Sequence, residues 1–156
     1  MTDIPYHAPL TTDSLRNLGI PEPWTIGFAD RVRFTELDPL GHVNNAAYLS
    51  WFENFRLQYM DFYGAPLTGR DAYMVVLRQV QVDYLGEMKL GDDYVVTGRT
   101  TVLRTSSFQM EYAVWSGGAL RTTSTAVLVM VNEDGKCPIP PKLRSILTTR
   151  DGAISA

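Results

Sequence analysis

Apolar residues change their period along this chain, and the changes mark its elements. Between Thr25 and Phe34 the stretch FADRVRF sets Phe28, Val32 and Phe34 among polar neighbours, the period of a half-buried strand. The following TELDPLGHVNN breaks that alternation with Asp, Pro, Gly and Asn, the residues of turns, and predicts a loop. In AAYLSWFENFRLQYMDFYG, residues Tyr48, Trp51, Phe52, Phe55, Tyr59 and Phe62 then recur at spacings of three and four. That spacing predicts a helix with a wide aromatic stripe, capped by Asn44 or Asn45 and ended by Gly64. At ~25 cal/mol per Å² of apolar area, such a stripe stabilises the fold only where a sheet or another subunit covers it.

Beyond the helix the pattern is extended. Strands are expected at 72–85, 93–104, 106–116 and 119–132, where Val75, Val76, Val80, Val82, Val95, Val96, Thr100, Val102 and the run TTSTAVLVMV favour a pleated sheet. Turn signals separate them at Gly91-Asp92-Asp93, Thr105-Ser106-Ser107 and Ser116-Gly117-Gly118, the last suited to a tight hairpin. Consecutive strands with short turns predict an antiparallel meander. One strand, one long buried helix and four more strands make the chain α+β, a five-stranded antiparallel sheet wrapped around a central helix. Residues 1–24, with Pro5, Pro9, Pro21 and Pro23, show no sustained period and read as an N-terminal extension. Within it Thr12-Asp13-Ser14-Leu15 can cap a short helix ending at Gly19. The main domain is expected over 25–147, followed by a tail at 148–156.

Composition narrows the function. A length of 156 residues suits one core, and 45% hydrophobic residues belong to a folding chain. The net charge of -3, without a Lys/Arg cluster, argues against a nucleic-acid partner. No apolar run approaches the ~18 residues of a spanning helix, so membrane insertion is not expected. Cys137 stands alone and forms no internal disulfide, and the N-terminus lacks a signal-peptide pattern, so a soluble, cytoplasmic protein is expected.

The stretch RVRFTELDPLGHVNNAAYLSWFENFR resembles the signature of the 4-hydroxybenzoyl-CoA thioesterase family, which runs from a first strand through an Asp-containing loop into a central helix. YLGEMKLGDDYVV is similar to that family's Gly-Asp turn between long strands, and KCPIPPKLRSIL to its usual ending. The resemblance covers residues 25–147 and implies the hotdog fold. It also implies an acyl-thioester hydrolase, acting on acyl-CoA or an acyl-carrier-protein thioester, and self-association to a homodimer or homotetramer. In the matching position stands Asp38, which would attack the thioester carbonyl or activate water. The N-terminus of the central helix offers unpaired amides and a partial positive charge, which makes the N–H groups from Val43 to Ala46 natural oxyanion donors. A non-catalytic module that binds an acyl thioester shares the fold and stays open as an alternative.

Each candidate has a plainer role. An Asp before Pro is usually a turn residue. His42 orients substrate, shares in proton transfer, or bonds only to the loop. Asn44 and Asn45 serve most economically as helix caps. Glu53 is a reserve acid, with an ion pair to Arg56 as its expected fate. Arg78, Arg99, Arg104 and Arg121 carry charge that coenzyme A phosphates would need, but strand arginines usually face solvent. Other chemistries find no support: GAPLTGR lacks the Lys-Ser/Thr ending of a phosphate loop, no GxSxG elbow occurs, and two histidines with one cysteine make no recognisable metal site. No cofactor is implied.

Overall fold

The aromatic helix α2, Asn45–Phe62, is the centre of the molecule. In the computed structural model, which describes residues 3–156, it packs on one face of a sheet whose long strands all pair antiparallel. Asn44 caps its start, the side chain accepting the Ala46 N–H at 2.9 Å. Tyr48, Trp51, Phe52, Phe55 and Tyr59 are buried as the spacing predicts, whereas Phe62 turns outward and Tyr63 takes its place in the core. Trp51 stacks on Tyr94 with centroids 3.9 Å apart, and Phe52 on Tyr112 at 5.0 Å. These contacts set the sheet over the stripe.

The sheet contains β1 (Pro9–Thr11), β2 (Ile26–Arg31), β3 (Met74–Tyr84), β4 (Asp93–Leu103), β5 (Ser107–Ser116), β6 (Ala119–Asn132), β7 (Gly135–Lys136) and β8 (Ile154–Ser155). Its main path runs β1-β2-β4-β5-β6-β3, with β7 on β6 and β8 on β4. The five long strands and the central helix expected from the pattern are present, which makes this the hotdog architecture. The simple meander is not. Strands β4, β5 and β6 follow one another, but β3 crosses to the far side of β6. The β3–β4 connection is no hairpin: the Leu85 and Gly86 N–H groups bond to the Arg121 carbonyl, and Met88 accepts from Val43, so the segment passes the start of α2. The tight β5–β6 turn is as expected, and Gly117 and Gly118 carry the positive φ values (60° and 74°) that a type I′ turn demands at both positions.

The first long strand ends at Arg31 rather than Phe34. Its burial runs through Ile26, Gly27, Phe28 and Ala29 without alternation, because both faces of the sheet are covered here. Phe34 lies in a 3-10 turn (Phe34–Glu36) and is 77% exposed. Cover for the outer face comes from the extension. β1 pairs with β2, the short helix α1 (Thr12–Asn17) follows, and Leu10, Leu15 and Ile20 pack with Val95, Ala113 and Trp115. The cap of α1 is Thr11, without the side-chain bond expected from Thr12 to Ser14. Residues 1 and 2 of that extension lie outside the described residues. At the other end helix α3, Pro141–Asp151, buries Leu143 and Leu147 beneath the sheet, and β8 joins β4. Among the described residues, no helix is long and apolar enough to cross a membrane.

Candidate functional site

Asp38 stands in a short hairpin that delivers the chain into α2. The hairpin closes by three rungs: Asn44 N–H to the Glu36 carbonyl at 2.7 Å, a bridge between Leu37 and Val43, and Asp38 N–H to the His42 carbonyl at 2.8 Å. At its tip the Gly41 N–H donates to the Asp38 carbonyl at 3.0 Å, and Gly41 takes the positive φ that the turn needs. The Asp38 side chain belongs to the same turn. Its Oδ1 accepts the Leu40 N–H at 2.9 Å and the His42 N–H at 3.1 Å. Among the described residues, Oδ2 has no hydrogen-bond partner. One oxygen therefore holds the loop while the other remains open.

Two contacts fix this hairpin against the body of the protein. Glu36 accepts the Arg33 N–H and the Trp51 indole N–H, at 2.8 and 2.9 Å, and so ties the loop to the second turn of α2. From the other side the β3–β4 connection docks through Val43 N–H to Met88 and a bridge between His42 and Lys89. His42 Nε2 lies 3.1 Å from the Glu87 carboxylate, which also faces Lys89 at 3.6 Å. Glu36 and Glu87 had no local signature in the sequence, because their partners lie on other elements.

The amides proposed as oxyanion donors are not equivalent. Val43 N–H is spent on Met88, Asn44 N–H on Glu36, and Ala46 N–H on the Asn44 side chain. Among the described residues, the Asn45 N–H is the member of the set without an acceptor. Its carbonyl is held in turn, accepting the Tyr84 hydroxyl at 3.0 Å. Desolvation raises the Tyr48 and Tyr84 phenols above their ordinary pKa. A cleft of about 350 Å³ opens along this end of α2, lined by Thr35, Glu36, Leu37, Asn44, Ala47 and Ser50 among others. Asp38, His42, Val43 and Asn44 share one loop, with Asp38 at its tip, and Asn45 opens α2 beyond its base; of these five, Asn44 lines the cleft and the other four do not.

The reserve acid behaves differently from expectation. Glu53 is exposed and makes no ion pair among the described residues; Arg56 turns inward instead and donates to the Tyr112 hydroxyl at 3.2 Å. Of the strand arginines, Arg99 pairs with Glu111 at 3.1 Å. Among the described residues, no group of three or more His, Cys, Asp or Glu side chains is arranged to hold a metal ion.

Residues 32–147 match the sequence model of the Thioesterase-like superfamily. A solved thioesterase-superfamily structure from Jannaschia sp. CCS1 is 47% identical, with 97% of this chain and 99% of that one covered and a TM-score of 0.90. A thioesterase from Thermus thermophilus, solved with coenzyme A and Zn, is 32% identical over 86% of this chain and all of that one, with a TM-score of 0.75. The uncharacterized protein YsmA of Bacillus subtilis (strain 168) is 30% identical over 107 residues, 67% of this chain and 72% of its own.

Proposed function

We propose, for a chain that belongs to the thioesterase-like superfamily, that it hydrolyses acyl-CoA to free acid and coenzyme A with Asp38 as nucleophile or general base. Membership supports thioester hydrolysis in general, and the coenzyme A bound by the Thermus thermophilus relative supports the thiol half of the substrate. The observation that carries the assignment to Asp38 is the division of its carboxylate: Oδ1 is fixed by two backbone amides, and Oδ2 is open among the described residues.

Such a carboxylate is preorganised without being consumed by its own loop. As a nucleophile, Oδ2 adds to the thioester carbonyl, the thiolate of coenzyme A leaves, and water cleaves the resulting mixed anhydride. As a general base, Oδ2 takes the proton from water as the water adds to that carbonyl; the adduct then collapses, the C–S bond breaks, and the coenzyme A thiolate leaves and takes up that proton. Both routes place negative charge on the carbonyl oxygen. The Asn45 N–H, at the positive end of an 18-residue helix and without an acceptor among the described residues, is the donor suited to that charge. His42 is a positioning residue on this reading: its backbone holds Asp38 and its ring is engaged by Glu87.

The edge of the sheet supports self-association. β3 pairs with β6 on one side, and among the described residues no strand pairs with its other side over its 11 residues. Met74, Val76, Leu77, Tyr84 and Leu85 are 45–59% exposed along it. A long apolar edge of this kind is ordinarily covered, and a second copy related by two-fold symmetry covers both edges at once. A homodimer, or a tetramer built from dimers, is the assembly it supports.

The test is thiol release from short, medium, long and aromatic acyl-CoA substrates. Turnover of at least one class well above the uncatalysed rate is expected; absence of turnover across the panel would overturn the acyl-CoA assignment.

A further inference from the structure

Tyr94 is buried with its hydroxyl unpartnered. The residue is 4% exposed and its ring stacks on Trp51, yet among the described residues the hydroxyl has no hydrogen-bond partner. Burial, and after it the Asp30 and Glu36 charges, push the phenol well above its ordinary pKa, with the Arg33 charge opposing them. The group is therefore a proton donor. A buried donor left without an acceptor is costly, and most such groups are satisfied by protein, water or ligand.

Tyr94 lines a cleft of about 280 Å³ between α2 and the strands β2 and β4. Phe28, Trp51, Phe55 and Val96 give it apolar and largely aromatic walls, and the Asn54 and Gln58 carboxamides stand on its α2 side. The N-terminal extension supplies His7 to the same cleft. Among the described residues His7 is the one non-glycine residue at positive φ, 58°, and its N–H bonds to the Ala29 carbonyl at 3.1 Å. Asp30, also in the lining, is already satisfied: it accepts the Arg33 guanidinium at 2.8 and 3.1 Å and the Arg31 N–H at 2.8 Å, and the His7 ring lies 3.6 Å away. The cleft thus offers a ligand flat apolar walls and a free hydroxyl donor, with its carboxylate already paired.

A cavity of about 150 Å³ suffices to take up benzene, so this volume suits one ring with a small substituent and not a long chain. We propose that the cleft binds a small neutral ring compound, its ring against the aromatic walls and its carbonyl oxygen accepting the Tyr94 hydroxyl. A carboxylate there meets Asp30 as a like charge, and an ammonium finds Asp30 taken by Arg33. The site stands apart from the acyl-CoA reading, because none of its lining residues lies in the Asp38 hairpin or on β3.

The experiment titrates the unaltered protein by calorimetry with benzamide, sodium benzoate and benzylamine hydrochloride, then repeats the benzamide titration with Tyr94→Phe. Benzamide is expected to bind at least fivefold more tightly than the anion or the cation. Tyr94→Phe is expected to weaken it about fivefold to tenfold, the change that one neutral hydrogen bond supplies. The removed hydroxyl has no protein partner, so the unfolding midpoint of Tyr94→Phe is expected to stay unchanged. No binding of benzamide by the unaltered protein, or binding of benzoate or benzylammonium as tight as that of benzamide, overturns the proposal, and that comparison decides even where Tyr94→Phe does not fold. Undiminished benzamide affinity in folded Tyr94→Phe overturns it as well. Because binding is read without turnover, a failure here leaves the Asp38 reading untouched, and the reverse also holds.

Discussion

The Thr100 N–H in β4 donates to a carboxylate oxygen of Asp151, at the end of α3, at 2.7 Å. That amide faces a gap in the sheet: the β2 pairing stops at Thr97 and the β8 pairing begins at Val102. Asp151 fills the gap and also accepts the hydroxyls of Tyr59 and Tyr63 from α2 and its C-terminal cap, so one carboxylate joins the central helix, the sheet and the C-terminal helix. Asp151→Ala leaves these buried donors without their acceptor, and a loss on the order of 3 kcal/mol in urea unfolding is expected. A loss below about 1 kcal/mol would contradict this role.

The same residue gives stability a pH dependence. Burial raises the Asp151 pKa, opposed by the Tyr59, Tyr63 and Thr100 hydrogen bonds and by the nearby Arg99 charge. A carboxyl whose folded pKa lies above its unfolded value binds its proton more tightly in the fold. Its contribution is therefore fully present below the unfolded pKa, ~3.9, and is lost as pH rises through the folded value. The stability of the unaltered protein minus that of Asp151→Asn is expected to fall with rising pH across this window. A difference that rises there would reverse the sign of the argument.

Gly98 lies where β4 passes under α2, and a Cβ added there would stand 2.9 Å from Cζ of Phe55, itself 1% exposed. The ring is packed against Phe28, Tyr59 and Tyr112 and would have to shift. Gly98→Ala is expected to cost about 1–3 kcal/mol by overpacking, read as a lowered midpoint in chemical denaturation. An unchanged midpoint would show that the Phe55 ring yields freely.

How far the sequence carried the reading depended on the range of each interaction. The strands and α2 were legible because their periods are local, and Asn44 capped the helix that it announced. Strand order was not. Nothing in 85–92 distinguishes a hairpin from a crossing, since that choice rests on backbone bonds to Arg121 and Val43. Helix α3 had signals that went unused, Pro141 at its first turn with Leu143 and Leu147 four apart. The site was legible as a loop but not as a geometry. The pairing of Asp38 with the Leu40 and His42 amides is local and consistent with the turn preference of Asp, whereas Glu36 on Trp51 and Glu87 on His42 join residues that share no motif. Glu53 and Arg56 failed as an ion pair because Tyr112 and the core drew the arginine inward.

Val76, 48% exposed on the free edge of β3, sits where a second copy would pair. Val76→Lys puts a charge on that edge in each copy and is expected to shift the protein toward monomer in light scattering at micromolar concentration. An unchanged mass would place the interface elsewhere.

The central claim is tested most directly by comparing acyl-CoA turnover of the unaltered protein with that of Asp38→Asn. Asparagine keeps the Oδ1 acceptor for Leu40 and His42, so the loop should fold and coenzyme A should still bind, while the charge on Oδ2 is gone. A fall in kcat of roughly 10²-fold or more, at unchanged unfolding midpoint and coenzyme A affinity, is the predicted result. Undiminished hydrolysis by Asp38→Asn would contradict the account and remove Asp38 from the chemistry.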